Sequence, residues 1–343
     1  MNKHNIPSGS VLLRRRFLQI ASTTAAWWGL GAGRAFAQTG PKSEKAPEQL
    51  RIGYQKSAVN LVILKQQGVL EKRFPHTRIQ WAEFPAGPQL LEALSVGSLE
   101  FGLTGDSPPV FAQAAGKDLL YVGAEPPKPD SSAILVLNDS PLKSLADLKG
   151  RKIALQKGSS AHYLLVRAVE KAGLQWSDIQ PIYLPPADAR AAFERKSVDA
   201  WAIWDPFYAA IELAIKPRAL ATGRDLSSNN SFYLASSSFA NQHSQALLAL
   251  LEDLSRADAY AQAQRKETIK LISTFSGLDA GVVSLFIQRR PKSPVSPLSA
   301  ATVADQQRVA DAFLKLGLIP KPIKVADIVW RPDASRLAQL DRK

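Results

Sequence analysis

Four short stretches place glycine, hydroxyl and amide residues where a strand would hand over to a helix. They are Gln55-Lys56-Ser57-Ala58, Thr104-Gly105-Asp106-Ser107-Pro108-Pro109, Gly158-Ser159-Ser160-Ala161 and Trp204-Asp205-Pro206. Such a turn holds an anion, caps a helix or carries a nucleophile. For the first role, free amide protons and the helix dipole favour negative charge, and serine or threonine hydroxyls add neutral donors. For the second, Asp106, Ser107 and Asp205 are ordinary N-cap residues, and Pro108 and Pro206 are ordinary helix starters. A bare carboxylate facing an anion would repel it, so Asp106 and Asp205 are expected to cap helices and orient loops. For the third, Ser159 or Ser160 would pair with His162. That pairing sits within one turn and lacks a third, orienting group. His162 itself reads as a donor to a ligand oxygen, a general base or a helix-surface residue. Trp201 and Trp204 flank one strand end, and alternation sends one to the core and the other to the mouth. An aromatic wall there suits an organic tail, and core packing is the rival reading for each.

The elements that must position these turns alternate strand and helix. Strands are expected at 51–55, 99–103, 121–123, 151–155, 179–184 and 198–203. Helices are expected at 61–74, 88–96, 109–115, 161–172, 187–195 and 207–215, several closed by a glycine. The pattern repeats with an offset of about 100 residues: Tyr54-Gln55-Lys56 falls on Leu155-Gln156-Lys157, and Gly97-Ser98-Leu99-Glu100 on Lys196-Ser197-Val198-Asp199. This period is too long for a solenoid and predicts two similar α/β lobes with mostly parallel sheets. In such sheets ligands sit beyond the carboxyl ends of the strands, where all four turns lie. Ala133–Leu137 and Ser231–Ala235 read as crossings between the lobes. Beyond Asn241 the chain reads as helical and is expected to pack mainly on the first lobe.

Composition narrows the chemistry. The 343 residues contain no cysteine, which excludes disulfides, thiolate zinc sites, a cysteine nucleophile and a lipoprotein anchor. Four histidines, at 4, 76, 162 and 243, show no metal-ligand spacing, so neither metal nor cofactor is expected. The formal net charge is +13, but no basic stripe with interleaved aromatics argues for nucleic acid. Part of that charge lies in Arg14-Arg15-Arg16-Phe17-Leu18-Gln19, which resembles the twin-arginine export consensus. A weakly apolar stretch and Ala35-Phe36-Ala37, an A-x-A cleavage site, follow it. Export to a periplasm is therefore expected. The domain reading is a removed signal at 1–37, a loose arm at 38–48, the first part of lobe 1 at 49–130, lobe 2 at 131–230, and a return crossing with a helical tail at 231–343.

The strings Arg51-Ile52-Gly53-Tyr54-Gln55-Lys56, Thr104 to Gly116, Lys157-Gly158-Ser159-Ser160-Ala161-His162 and Trp201-Ala202-Ile203-Trp204-Asp205-Pro206 resemble those of aliphatic sulfonate-binding proteins, the periplasmic solute receptors of ABC importers. These are similar to taurine- and nitrate-binding receptors. The resemblance implies an α/β, type II periplasmic-binding-protein fold, with two lobes joined by hinge strands and closing on the ligand. It implies no catalysis, an alkanesulfonate ligand taken up for its sulfur, and a permease and an ATPase as partners of a monomer. By motif match it assigns the sulfonate head to Gln55, Gly105, Asp106, Ser159, Ser160 and His162, with Ser131 and Ser132 at the first crossing as further candidates. It assigns the ligand tail to Trp204. Taurine, nitrate, a sulfate ester or an arylsulfonate are the rival ligands. A hydrolase on the same scaffold is the rival function, although the sulfinate-cleaving enzymes of that kind use a cysteine. The chain departs from the family in its twin-arginine signal and in the proline-rich Pro126-Pro127-Lys128-Pro129, which is expected to shape the cleft mouth.

Overall fold

A computed structural model describes residues 45–332. The export-signal reading falls on residues outside this range. Among the described residues the strands are β1 (Gln49–Tyr54), β2 (Arg78–Glu83), β3 (Phe101–Gly105), β4 (Leu120–Glu125), β5 (Ser132–Val136), β6 (Lys152–Leu155), β7 (Gln180–Tyr183), β8 (Ala200–Trp204), β9 (Arg218–Thr222) and β10 (Ser231–Ala235). The helices are α1 (Val59–Gln67), α2 (Val69–Arg73), α3 (Gly87–Ser95), α4 (Ser107–Ala114), α5 (Ser160–Lys171), α6 (Pro186–Glu194), α7 (Phe207–Ile215), α8 (Ser237–Gln242), α9 (Ser244–Ala263), α10 (Arg265–Ser276), α11 (Ala280–Arg289) and α12 (Ala300–Lys315).

Two five-stranded sheets result, ordered β2-β1-β3-β10-β4 and β7-β6-β8-β5-β9. In each, the first three strands are parallel and the fourth runs antiparallel. That fourth strand arrives from the other lobe: β5 follows β4 into the second sheet, and β10 follows β9 back into the first. The same side-chain device sets the strand spacing in both. Glu100 accepts the Arg51 amide at 2.6 Å, and Asp199 accepts the Lys152 amide at 2.8 Å. The preceding helix closes at left-handed Gly97 in one copy and at left-handed Lys196 in the other, a conformation glycine adopts at far lower cost.

Apolar strand residues pack against helices on both faces of each sheet. In lobe 1, Ile52, Phe101 and Tyr233 meet α1 and α9, while Phe232 and Tyr121 meet α3, α4 and α12. In lobe 2, Ile134 and Ile153 meet α5, while Ala154 and Trp201 meet Phe193 of α6 and Ile211 of α7. Full burial of each large apolar side chain contributes about 1.5–3 kcal/mol. The tail helices cover lobe 1, but α11 also reaches α7, where Ala209 joins the core of Val282, Val283 and Phe286. The two crossings bond to one another: Lys128 N donates to Ser228 O at 2.9 Å, and Gly223 N to Pro129 O at 3.0 Å.

The long helix expected at 61–74 is broken. Gly68 is left-handed (φ 59°) and closes α1 before α2 begins. β2 and β9 are edge strands with no fully buried residue, and neither they nor α8 and α11 stood out in the sequence.

Candidate functional site

The carboxyl ends of β1, β3 and β8, the starts of α3, α4 and α5, and both crossings converge on a small cavity of about 60 Å³. Gln55, Gly105, Ser131, Ser159, Ser160 and Trp204 all line it. The Gln55 amide donates to Leu103 O at 3.1 Å, which ties the end of β1 to β3 and fixes the side chain in the wall. Ser131 Oγ is buried with no hydrogen-bond partner, so its donor is uncommitted. Ser159 Oγ donates to Gln156 O at 2.8 Å instead of capping α5. α3 and α4 likewise begin without a side-chain cap. Helices α2, α6, α9 and α10 are uncapped as well, so what sets α3, α4 and α5 apart is that their first turns meet at the cavity. First-turn amides left unsatisfied at a cavity wall are anion donors.

Trp201 and Trp204 divide as alternation requires. Trp201 is fully buried behind β8, and Trp204 faces the cavity with its ring edge-on to Phe207 at 5.9 Å.

The structure does not bring Asp106, Ser132 or His162 into this lining. Ser132 is buried in β5 with its Oγ unpartnered. Asp106 makes no cap to α4, contrary to the expectation from its position. Its carboxylate accepts from Ser107 Oγ at 2.9 Å and from Ser160 of the opposite lobe. Burial pushes it up to about 6, against those hydrogen bonds. Asp205, by contrast, does satisfy a helix amide, that of Ala209 at 2.9 Å.

His162 lies in an aromatic seam between the lobes. Its ring is 6.1 Å from Phe111 and 5.2 Å from Phe313 of lobe 1, and 5.3 Å from Trp176 and 5.7 Å from Tyr183 of lobe 2. Its Nδ1 accepts the Gly158 amide at 3.2 Å, which braces the Gly158-Ser159-Ser160 turn. Burial, with a smaller contribution from Lys157, lowers it to about 4, so the ring is neutral. Nδ1 is occupied by a backbone amide, and the ring is placed as a brace rather than as a base for either serine.

Sequence reasoning missed several lining residues, among them Gly87, Lys128 and Asn229, and singled out Ser57 only as part of its turn. Lys128 is the instructive one. Its ammonium bonds Glu125 at 2.8 Å, and Tyr233, Asn60 and Arg290 surround the same carboxylate. Burial opposes ionisation of Glu125, but Lys128 and Arg290 outweigh it and hold the carboxyl below its usual value. The proline run around Lys128 was the only signal, and it spoke of backbone shape, not charge. Among the described residues no group of three or more histidine or carboxylate side chains is placed to hold a metal ion. A larger apolar cavity of about 1020 Å³, lined by Leu248, Leu251, Val303 and Trp330, lies elsewhere in lobe 1 and shares no residue with the cleft.

Twin α/β lobes, paired crossings and a donor-rich gap define a two-lobed solute receptor. The chain belongs to the NMT1/THI5-like family, whose profile matches residues 83–268, and within it stands with the aliphatic sulfonate-binding proteins. It is 50% identical to the periplasmic aliphatic sulphonate binding protein SsuA of Escherichia coli, over 84% of this chain and 93% of that one, with a TM-score of 0.78. It is also 50% identical to the alkanesulfonate-binding protein SsuA of Xanthomonas axonopodis pv. citri, solved bound to MOPS, over 84% of this chain and all of that one, with a TM-score of 0.81. The taurine-binding periplasmic protein of Escherichia coli K12 is 28% identical over 47% of this chain and 49% of its own. The α/β type II periplasmic-binding fold is the fold of this chain.

Proposed function

We propose that this protein is a periplasmic receptor that closes on aliphatic sulfonates and delivers them to an ABC importer, without chemistry of its own. One observation carries the reading: uncapped helix starts and serine donors from both lobes meet at one small cavity in a chain 50% identical to alkanesulfonate-binding proteins. A sulfonate is ionised at every working pH and offers only acceptors, which matches amides and hydroxyls. The head is read by Gln55, Ser131, Ser159, Ser160 and the backbone at Gly105, with Trp204 against the tail. Asp106 and His162 act from behind, Asp106 through Ser160 and His162 through the Gly158 turn. Export by the twin-arginine route and a monomer docking on permease and ATPase subunits complete the proposal.

Calorimetry with a series from ethanesulfonate to octanesulfonate, together with taurine, sulfate and nitrate, tests it. Buffers must be free of sulfonates. Saturable binding of alkanesulfonates, with nitrate and sulfate silent, is expected. A preference for nitrate or sulfate would reject the ligand assignment. Release of sulfite during incubation would reject the absence of chemistry.

A further inference from the structure

Asp205 follows Trp204, the last residue of β8, and forms part of the cavity wall. It is 2% exposed, and its two oxygens differ. Oδ1 is fully engaged, accepting the Ala209 amide at 2.9 Å and Arg289 Nη1 at 3.2 Å. Oδ2 is buried with no hydrogen-bond partner. An ionised carboxylate oxygen left in that condition carries a desolvation cost that Arg289, bonded to the other oxygen, offsets only in part. Either a donor on the ligand satisfies Oδ2, or a proton on Oδ2 turns it into a donor. A sulfonate head has oxygens that accept and nothing that donates, so only the protonated form pairs with it.

We propose that Asp205 takes up one proton from solvent when an aliphatic sulfonate binds and donates it, through Oδ2–H, in a hydrogen bond to a sulfonate oxygen. The proton returns to solvent when the ligand leaves. This rests on the sulfonate reading above and adds to it a pH-dependent residue in the wall.

The charges facing Asp205 come from three elements. Arg289 of α11 bonds Oδ1 and sits 3.9 Å over the ring of Tyr208. Glu212 of α7 bonds the same guanidinium and spends part of its charge. Lys128 of the first crossing lines the same cavity but is paired with Glu125. Burial outweighs the pull of Arg289, and the carboxyl is pushed up to about 7. An anion in the cavity raises it further, because like charges disfavour ionisation. Asp106, the other buried carboxyl nearby, already accepts from Ser107 and Ser160 and does not line the cavity.

The test is calorimetry of the full mature protein with ethanesulfonate between pH 6 and pH 8.5, in Tris, imidazole and triethanolamine. The slope of observed enthalpy against buffer ionisation enthalpy counts protons. Close to one proton taken up per site at pH 8, falling toward zero at pH 6, is expected. The dissociation constant should weaken up to tenfold per pH unit above the free carboxyl's midpoint. Asp205→Asn keeps an acceptor for Ala209 and Arg289 and supplies a permanent donor, so its binding should be flat with pH and release or take up no proton. If that variant does not fold, Arg289→Gln should move the onset of uptake to higher pH. Binding without proton uptake in the wild type overturns the proposal alone, as does uptake that persists in Asp205→Asn or an onset unmoved in Arg289→Gln. Absence of any binding overturns the sulfonate reading and this proposal with it.

Discussion

Ser160 of lobe 2 stands directly against Gly105 of lobe 1: a Cβ built at Gly105 would lie 1.9 Å from Ser160 Oγ and 3.2 Å from its Cβ. The same hydroxyl bonds Asp106 across the gap. The lobes therefore meet through a glycine, a serine and a carboxylate, each drawn from a turn already conspicuous in the sequence.

Gly105→Ala follows from this contact. The added methyl forces Ser160 to rotate away from Asp106 or holds the lobes apart. The fold should persist, since Gly105 ends a strand at ordinary φ. Alkanesulfonate affinity should fall by at least tenfold with little change in Tm. Ser160→Gly in the same chain should recover part of the loss by removing the clash. A Gly105→Ala protein that binds as tightly as wild type would show that this contact plays no part in closure.

Ser131 and Ser132 are neighbours with different fates. Both hydroxyls are buried and unpartnered, but only Ser131 lines the cavity. Ser131→Ala should cost about 1–3 kcal/mol of binding, the usual worth of a hydrogen bond to a charged group. Ser132→Ala should leave titration isotherms unchanged.

Asp106 gives stability a pH dependence of definite sign. Its folded value, about 6, lies above the ordinary 3.8, so the folded state binds the proton more tightly. The associated stability is complete below the ordinary value and is lost as pH rises through about 6. The total is on the order of 3 kcal/mol. Asp106→Asn should remove this contribution from urea unfolding, so that the variant gains stability relative to wild type as pH rises from 4 to 6.5, the contributions of Asp205 and His162 being common to both proteins; a difference that stays flat with pH would assign the contribution to another group.

His162 has the opposite sign. Its folded value is lowered to about 4 from 6.5, so the unfolded chain takes the proton first. Stability is complete above 6.5 and declines as pH falls toward 4. His162→Phe preserves the aromatic seam and should remove this contribution, so that its stability relative to wild type rises as pH falls from 6.5 toward 4, while leaving the Gly158 amide without its acceptor. Binding should weaken by a few-fold through the loosened turn. His162→Ala should also open a cavity and cost about 2–4 kcal/mol of stability.

Much of this was legible because it is local. The strand-end turns, the repeat at about 100 residues and the split between Trp201 and Trp204 depend on neighbours in the chain or on simple alternation. What escaped depends on partners brought from afar. His162 looked like a ligand donor because nothing near it announces Phe111 and Phe313, which close the seam around it. Asp205 looked like a plain cap because Arg289 reaches it across 84 positions. Lys128 was hidden in a proline run, and its countercharge Glu125 gains meaning only when Arg290 arrives from α11's end. The helix broken at Gly68 was misjudged for another reason: apolar spacing continues across the break, and the backbone reversal leaves it untouched.

The two crossings, bonded side by side through Lys128 and Ser228 and through Pro129 and Gly223, have a mechanical result. Two adjacent tethers define one axis, and a body held on one axis swings; it neither slides nor twists freely. On the receptor reading proposed above, closure on a ligand is therefore a change in one angle.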